Sequence, residues 1–258
     1  MKEFSDHFSR IAGSYAAFRP RYPAELFAWL ARIVPARRLA WDCAAGSGQA
    51  TLGLAEHFAR VLATDASAEQ LAAAPPHARV EYRAARAEAS GLPDGAADLV
   101  TVAQALHWLP LDAFYAEARR VLAPGGVVAV WTYGHYTIDD APALATVFDS
   151  FYRDVAGPWW PPERVHVDTG YRMLDFPFDE LPPSEIPAFA MTAHWGLGEV
   201  LGYLQTWSAV QRRIATAGGD PVAELATAVA PLWGDPGMRR TVRWPLTLRA
   251  GRREGARA

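Results

Sequence analysis

Residues 39–49 constrain the fold of this chain more than any other stretch. An apolar run ends in an acid, and small residues with two glycines follow it. The next segment carries Leu54 and Phe58 four residues apart, which places both on one face of a helix. A strand, a tight turn and a helix open a nucleotide-binding α/β unit, and Gly46 and Gly48 allow the backbone to turn sharply and a ligand to approach it.

The acid in this turn, Asp42, bears on the kind of ligand. A dinucleotide fingerprint requires a third glycine, and Thr51 stands at that position. A carboxylate repels a pyrophosphate and attracts a cation. S-adenosylmethionine carries an ammonium and a sulfonium group and no phosphate, so charge favours it over NAD. A role for Asp42 as a cap of the helix or loop remains the alternative.

A second apolar run, residues 60–65, predicts the next strand and also ends in an acid. Asp65 follows the glycines by about 20 residues, the spacing of a carboxylate that binds two ribose hydroxyls. Its two oxygens match two donors. Ser67 and Gln70 fit a capping box, so an acid that merely stabilises a helix start is the alternative for Asp65.

Together these residues resemble motifs I and II of the class I S-adenosylmethionine-dependent methyltransferases. The pattern Asp42-x-Ala44-x-Gly46-x-Gly48 and Asp65 carry the resemblance. Three later segments also resemble that family: Ala87-Glu88 with residues 92–94, residues 98–108, and residues 121–126. The His107-Trp108 pair and an N-terminal pattern around Tyr15 and Arg19 are similar to a small-molecule branch that includes trans-aconitate methyltransferase-like proteins.

The resemblance implies S-adenosylmethionine as cofactor and an α/β, Rossmann-like fold. That fold has a seven-stranded, mostly parallel sheet with helices on both faces and an antiparallel edge strand. The implied cofactor-binding residues are Tyr15, Arg19, Asp42, Ala44, Gly46, Gly48, Asp65, Ala66, Ala87, Glu88 and Gln104. Ala44 replaces the usual first glycine, which is tolerated if its backbone φ is negative.

His107 follows the predicted fourth strand, residues 97–103, and is the candidate catalytic residue. Its reference pKa near working pH suits a general base for a hydroxyl acceptor. A carboxylate acceptor needs no base, so His107 would then only orient it. A histidine that hydrogen-bonds the loop is the third interpretation. The acceptor atom stays open between oxygen, nitrogen, carbon and sulfur.

We expect one domain over residues 1–258, with an N-terminal lid segment (1–23) and a cap insertion (157–187). The cap is rich in aromatic residues and proline, a composition too irregular for a core element and too aromatic for a disordered linker. Further predicted elements are a helix over 198–216 and strands over 186–193 and 240–249.

Composition narrows the function further. A net charge of -3 does not suggest a nucleic-acid partner, and no apolar run is long enough to cross a membrane. The start of the chain lacks a signal-peptide pattern, so we expect a cytoplasmic protein. The single cysteine, Cys43, is expected as a buried filler, and no metal-ligand spacing occurs. The sequence thus predicts methyl transfer to a small-molecule acceptor, with a non-catalytic cofactor-binding regulatory protein as the alternative.

Overall fold

The computed structural model describes residues 20–253 of the chain. The strands and helices follow in chain order: α1 (Ala24–Ile33), β1 (Leu39–Cys43), α2 (Gln49–Ala55), β2 (Arg60–Asp65), α3 (Ala68–Ala72), β3 (Val80–Ala84), β4 (Ala97–Ala103), α4 (Leu111–Val121), β5 (Leu122–Tyr133), β6 (Thr137–Ile138), α5 (Pro142–Ser150), α6 (Arg164–Asp168), β7 (Asp179–Glu180), β8 (Ala190–Trp195), α7 (Leu197–Gln205), α8 (Ser208–Ala217), α9 (Pro221–Trp233) and β9 (Arg240–Arg252). Short 3₁₀ and π turns lie between some of them.

The described residues fall into two compact units. The sheet unit contains residues 22–134, 166–189 and 246–253, and the aromatic unit contains residues 20–21, 135–165 and 190–245. The predicted cap, 157–187, is therefore divided between them at residue 165. The prediction of one domain over 1–258 stays a prediction.

Strands β1 to β5 of the sheet unit are parallel and lie in the order β3-β2-β1-β4-β5. Residues 246–252 of β9 pair antiparallel with β5. Because β1 has β2 on one side and β4 on the other, the strand order reverses at β1. In open α/β sheets, ligands bind at the carboxyl ends of the strands where this reversal occurs.

The sheet unit buries an apolar layer on each face of its sheet. Alternate residues of β5 enter different layers, as the period of a strand requires: Val128 lies in one core cluster and Trp131 in the other. Phe114 of α4 packs in the first layer, whereas Leu30 of α1 and Leu54 of α2 pack in the second. The predicted mostly parallel sheet with helices on both faces is confirmed.

The predicted number of strands, seven, is wrong, because nine paired strands lie within residues 20–253 alone. The two unpredicted strands, β6 and β7, have two residues each. Such a length is too short to leave an alternating pattern in the sequence. Both pair with β9.

The predicted helix over 198–216 is also wrong, because it is two helices, α7 and α8. The break falls at Thr206 and Trp207, where Trp207 has extended backbone angles and the Thr206 hydroxyl donates to the Tyr203 carbonyl oxygen at 2.7 Å. Both residues are buried, so the apolar periodicity continues across the break and hides it in the sequence.

The aromatic unit takes its name from a cluster of large rings in its core. Five ring pairs formed by Tyr136, Tyr203, Trp207 and Trp244 have centroids 5.4 to 6.4 Å apart. All five are tilted or edge-on, as the ring quadrupole prefers. Among residues 20–253, no helix combines the length and the apolar character needed to span a bilayer.

Candidate functional site

The parallel strands bring the predicted site residues to one edge of the sheet. Strands β2 and β4 both pair with β1, with Thr64 beside Cys43 and Thr101 beside Asp42. Their carboxyl ends therefore meet at the same edge. This edge therefore carries the glycine turn after β1, Asp65 at the end of β2 and His107 after β4.

Asp42 is fully buried beneath the glycine turn. Thr51 Oγ1 donates to its Oδ2 at 2.6 Å, and Thr101 Oγ1 donates to its Oδ1 at 2.9 Å. Burial raises the pKa of Asp42 to about 6, although the two hydroxyl hydrogen bonds oppose the rise. Neither oxygen is open to solvent, so the effect of Asp42 on a ligand is electrostatic. Both threonines escaped the sequence analysis, in which Thr51 appeared only as a missing glycine.

The turn after β1 is left-handed at three positions, with φ of 55° at Ala44, 55° at Gly46 and 80° at Gly48. The condition under which alanine was expected to be tolerated at position 44, a negative φ, is therefore not met. A left-handed alanine costs roughly 1–2 kcal/mol relative to an ordinary conformation. A side chain at position 48 would also be crowded, because a Cβ there would lie 3.0 Å from the Tyr82 hydroxyl oxygen.

Asp65 holds the glycine turn in place. The Gly46 N–H donates to its Oδ2 at 2.9 Å, and the Ser67 N–H donates to its Oδ1 at 2.8 Å. A carboxylate offers about four lone-pair positions, so each oxygen keeps capacity for a further donor. Ser67 caps α3 by accepting from the Gln70 N–H at 3.2 Å, but the Ser67 N–H donates to Asp65 and not to the Gln70 side chain, so only this half of the predicted capping box is confirmed.

The remaining predicted cofactor residues on this edge differ in exposure. Ala66, next to Asp65, is exposed, whereas Ala87 is buried in the first apolar layer. Glu88 lies 2.5 Å from Arg86 Nε and is partly exposed. Burial is the largest single effect and raises the pKa of Glu88, but the hydrogen bond and charge of Arg86 together with a backbone hydrogen bond outweigh it, so the pKa is lowered. Glu88 is thus an ionised acceptor already paired with an arginine.

Gln104 has its side chain committed to the protein. Its Nε2 donates to the Tyr133 carbonyl oxygen at 2.8 Å, and its Oε1 accepts from the Tyr133 N–H at 3.0 Å and from the Thr132 hydroxyl. The amide therefore ties the loop after β4 to the end of β5. Its φ of 58° turns the backbone of this loop. The Gln104 backbone N–H also donates within the protein, to the Trp131 carbonyl oxygen at 2.8 Å.

His107 lies in a 3₁₀ turn, Leu106–Trp108, directly after β4. Its Nδ1 is 3.0 Å from the Tyr171 hydroxyl, and its ring contacts Trp108 with centroids 4.7 Å apart. Trp108 itself is 41% exposed. Tyr171 escaped the sequence analysis, because nothing in a segment 64 residues away indicates a contact with His107.

Tyr15 and Arg19 lie outside the described residues, so their assignment to the cofactor stays a prediction. Cys43 is buried and free, and burial raises the pKa of its thiol well above the ordinary value. It is a filler, as predicted. Within residues 20–253, no group of three or more His, Cys, Asp or Glu side chains is placed to hold a metal ion.

Comparisons with known proteins agree on one family. A family model described as a methyltransferase domain matches residues 41–130. A methyltransferase candidate of Dictyostelium discoideum is 34% identical over 225 residues, covering 86% of this chain and 84% of the relative.

Solved structures agree with this. A type II methyltransferase candidate from Anaeromyxobacter dehalogenans is 47% identical with a TM-score of 0.86, covering 92% of this chain and 99% of that one. Phosphoethanolamine N-methyltransferase 2 of Haemonchus contortus, solved with S-adenosyl-L-methionine, is 16% identical with a TM-score of 0.50, covering 96% of this chain and 57% of that one. At that identity the likeness concerns the fold alone.

Proposed function

Because this chain belongs to the S-adenosylmethionine-dependent methyltransferases, we propose that it methylates a small-molecule acceptor held beside His107. One observation carries the proposal. The Gly46 N–H donates to Asp65 at 2.9 Å, which joins the glycine turn and the acid after β2 into one surface. A nucleoside laid on that surface meets a carboxylate with capacity for further donors and a backbone that lacks side chains at Gly46 and Gly48.

The residues of this edge fit the cofactor. Asp65 is assigned to the two ribose hydroxyls, and Ala66, Ala87 and Glu88 to the neighbouring adenine. When bound, S-adenosylmethionine supplies a methyl group on a positively charged sulfur, which is a good leaving group. Asp42 adds a buried negative charge under the turn that favours a positive ligand. Tyr15 and Arg19 are proposed to contact the methionine end, where a guanidinium suits a carboxylate.

His107 is proposed to act on the acceptor. For a hydroxyl acceptor it removes the proton as the methyl group is transferred, and for a carboxylate acceptor it orients the nucleophile. The protein otherwise positions the two partners and excludes water. The cap residues 166–187 support this shelter, because Val167, Tyr171 and Phe176 pack in the same apolar layer as the sheet.

A labelled-methyl assay tests the proposal. Small carboxylic acids and phenols are offered with methyl-labelled S-adenosylmethionine, and cofactor affinity is measured by calorimetry. We expect His107→Ala to lower turnover while leaving cofactor affinity nearly unchanged. His77→Ala is the control, because His77 lies before β3, at the opposite edge of the sheet. Unaltered turnover in His107→Ala would remove the catalytic role, and cofactor binding without any transfer would favour the regulatory alternative.

A further inference from the structure

Tyr171 belongs to the cap residues of the sheet unit and lies against His107. Its hydroxyl oxygen is 3.0 Å from His107 Nδ1, and the two ring centroids are 5.8 Å apart. The tyrosine itself is 1% exposed. We propose that Tyr171 is a positioning residue, which holds the His107 ring in one orientation and one tautomer. This inference rests on the catalytic role proposed for His107.

The backbone of Tyr171 is in a conformation that bulky residues rarely adopt. Its φ is 61°, in the left-handed region. Such a φ is a genuine outlier for a bulky side chain. Strained residues of this kind persist only where the surrounding structure holds them, and they concentrate at functional sites.

Several hydrogen bonds hold Tyr171 in this conformation. Its N–H donates to the His166 carbonyl oxygen at 2.7 Å. Arg249 Nη1 donates to the carbonyl oxygens of Tyr171 and Leu174 at 2.8 and 2.7 Å. The same guanidinium donates through Nε and Nη2 to the two carboxylate oxygens of Glu180, both at 2.8 Å. The ion pair fixes the arginine, and the arginine fixes the tyrosine.

The direction of the hydrogen bond with Tyr171 determines which ring nitrogen of His107 can take a proton. The Tyr171 hydroxyl can donate or accept, so the 3.0 Å distance fits both tautomers, and the base role of His107 requires the one in which the hydroxyl accepts. A neutral imidazole has one N–H donor and one acceptor nitrogen. When Nδ1–H donates to the Tyr171 oxygen, Nε2 carries the lone pair. For a hydroxyl acceptor, the O–H proton passes to Nε2. The acceptor oxygen then uses the freed electron pair to bond the methyl carbon, and the sulfur keeps the electrons of the broken S–C bond.

Tyr171→Phe removes this hydroxyl and keeps the ring. Tyr115→Phe is a matched control, because Tyr115 is 2% exposed and its hydroxyl donates to the Asp175 carbonyl oxygen at 2.7 Å. That hydrogen bond also reaches the cap residues and does not involve His107. Both variants therefore lose one buried hydroxyl in the same unit.

The first measurement is nitrogen NMR of protein labelled at histidine with ¹⁵N, without any acceptor. His107→Gln identifies the His107 signals among those of the seven histidines. We expect wild type and Tyr115→Phe to show His107 as the tautomer protonated on Nδ1, and Tyr171→Phe to show a mixture of both tautomers. A Tyr171→Phe spectrum equal to that of wild type would overturn the proposal.

The second measurement is methyl transfer to the phenol or carboxylic acid that wild type methylates fastest. We expect Tyr171→Phe to lower kcat roughly tenfold, the lower end of the loss found when the partner that orients a metal-bound histidine is removed. KM for S-adenosylmethionine should not change. An equal loss in Tyr115→Phe would overturn the positioning role, because general loosening of the cap would explain both.

The two measurements separate this inference from the proposed function. If His107→Ala keeps full turnover, the catalytic role of His107 fails, and the NMR spectra still decide whether Tyr171 sets the tautomer. If His107→Ala is inactive while Tyr171→Phe keeps the wild-type spectrum and kcat, the proposed function stands and the inference about Tyr171 is wrong.

Discussion

Replacing Asp42 by asparagine tests both the stability and the ligand preference of this fold. The carboxylate is fully buried, with two threonine hydroxyls as its only hydrogen-bond donors among the described residues. Burial disfavours the charged form, so the pKa in the folded protein rises from 3.8 to about 6. Below pH 3.8 Asp42 is protonated in both the folded and the unfolded protein, so the folded protein does not have to bury a charged carboxylate. Stability is then lost as pH rises through the folded pKa.

The size of the effect follows from the shift. About two pKa units at about 1.4 kcal/mol each correspond to roughly 3 kcal/mol of unfolding free energy at neutral pH. Roughly 1.4 kcal/mol of this is lost between pH 5 and pH 8, where the unfolded carboxyl is already ionised and the folded one becomes so. Asparagine does not ionise. We therefore expect Asp42→Asn to be more stable than wild type, by a margin that grows over this pH range.

Urea unfolding of the cofactor-free protein at several pH values between 5 and 8 measures this margin. Asp98→Asn is the control, since Asp98 is equally buried but is paired with Arg38. Burial alone would raise the pKa of Asp98, but the hydrogen bonds and charge of Arg38 lower it. The control variant should therefore be less stable than wild type. A margin for Asp42→Asn that stays flat with pH would refute the titration of Asp42 in this range.

The same variant tests the ligand preference. S-adenosylmethionine and S-adenosylhomocysteine share the nucleoside and the amino acid, and only the first carries a positive sulfur. If Asp42 favours that charge, the Asn variant should lose more affinity for S-adenosylmethionine than for S-adenosylhomocysteine in calorimetry. Equal losses would show that the buried acid supports the turn and does not select the charge of the sulfur.

Two further predictions concern the glycine turn. Asp65→Ala should weaken S-adenosylmethionine binding roughly 100-fold or more in calorimetry, because it removes a charged acceptor for the ligand and for the Gly46 and Ser67 N–H groups. Asp65→Asn should lose less affinity. Unchanged affinity in the alanine variant would exclude the ribose role. Ala44→Gly should stabilise the protein by about 0.5–1 kcal/mol in urea unfolding, because the relieved backbone strain is larger than the entropic cost of ordering a glycine. A destabilised variant would show that the alanine methyl group contributes packing.

The sequence by itself determined the parallel strands and the glycine turn. Strands β2, β3 and β4 have the bounds that their apolar runs predict, 60–65, 80–84 and 97–103. A buried parallel strand is apolar on both faces, so its pattern survives in a single sequence. The glycines and the acids after β1 and β2 are local signals of the same kind, since a turn and a strand end depend on neighbouring residues.

Only the tertiary structure decided which groups meet at the site. Asp42 accepts from Thr101, which is 59 residues away, and Tyr171 reaches His107 across 64 residues. The spacing of apolar residues along the sequence does not indicate contacts between residues so far apart in the chain. The positive φ of Ala44 and of Tyr171 was also not predictable from the sequence. An isolated residue of either type disfavours this backbone angle, and the surrounding structure imposes it. The family was therefore readable from local pattern, whereas the partners of Asp42 and His107 depend on how distant segments pack.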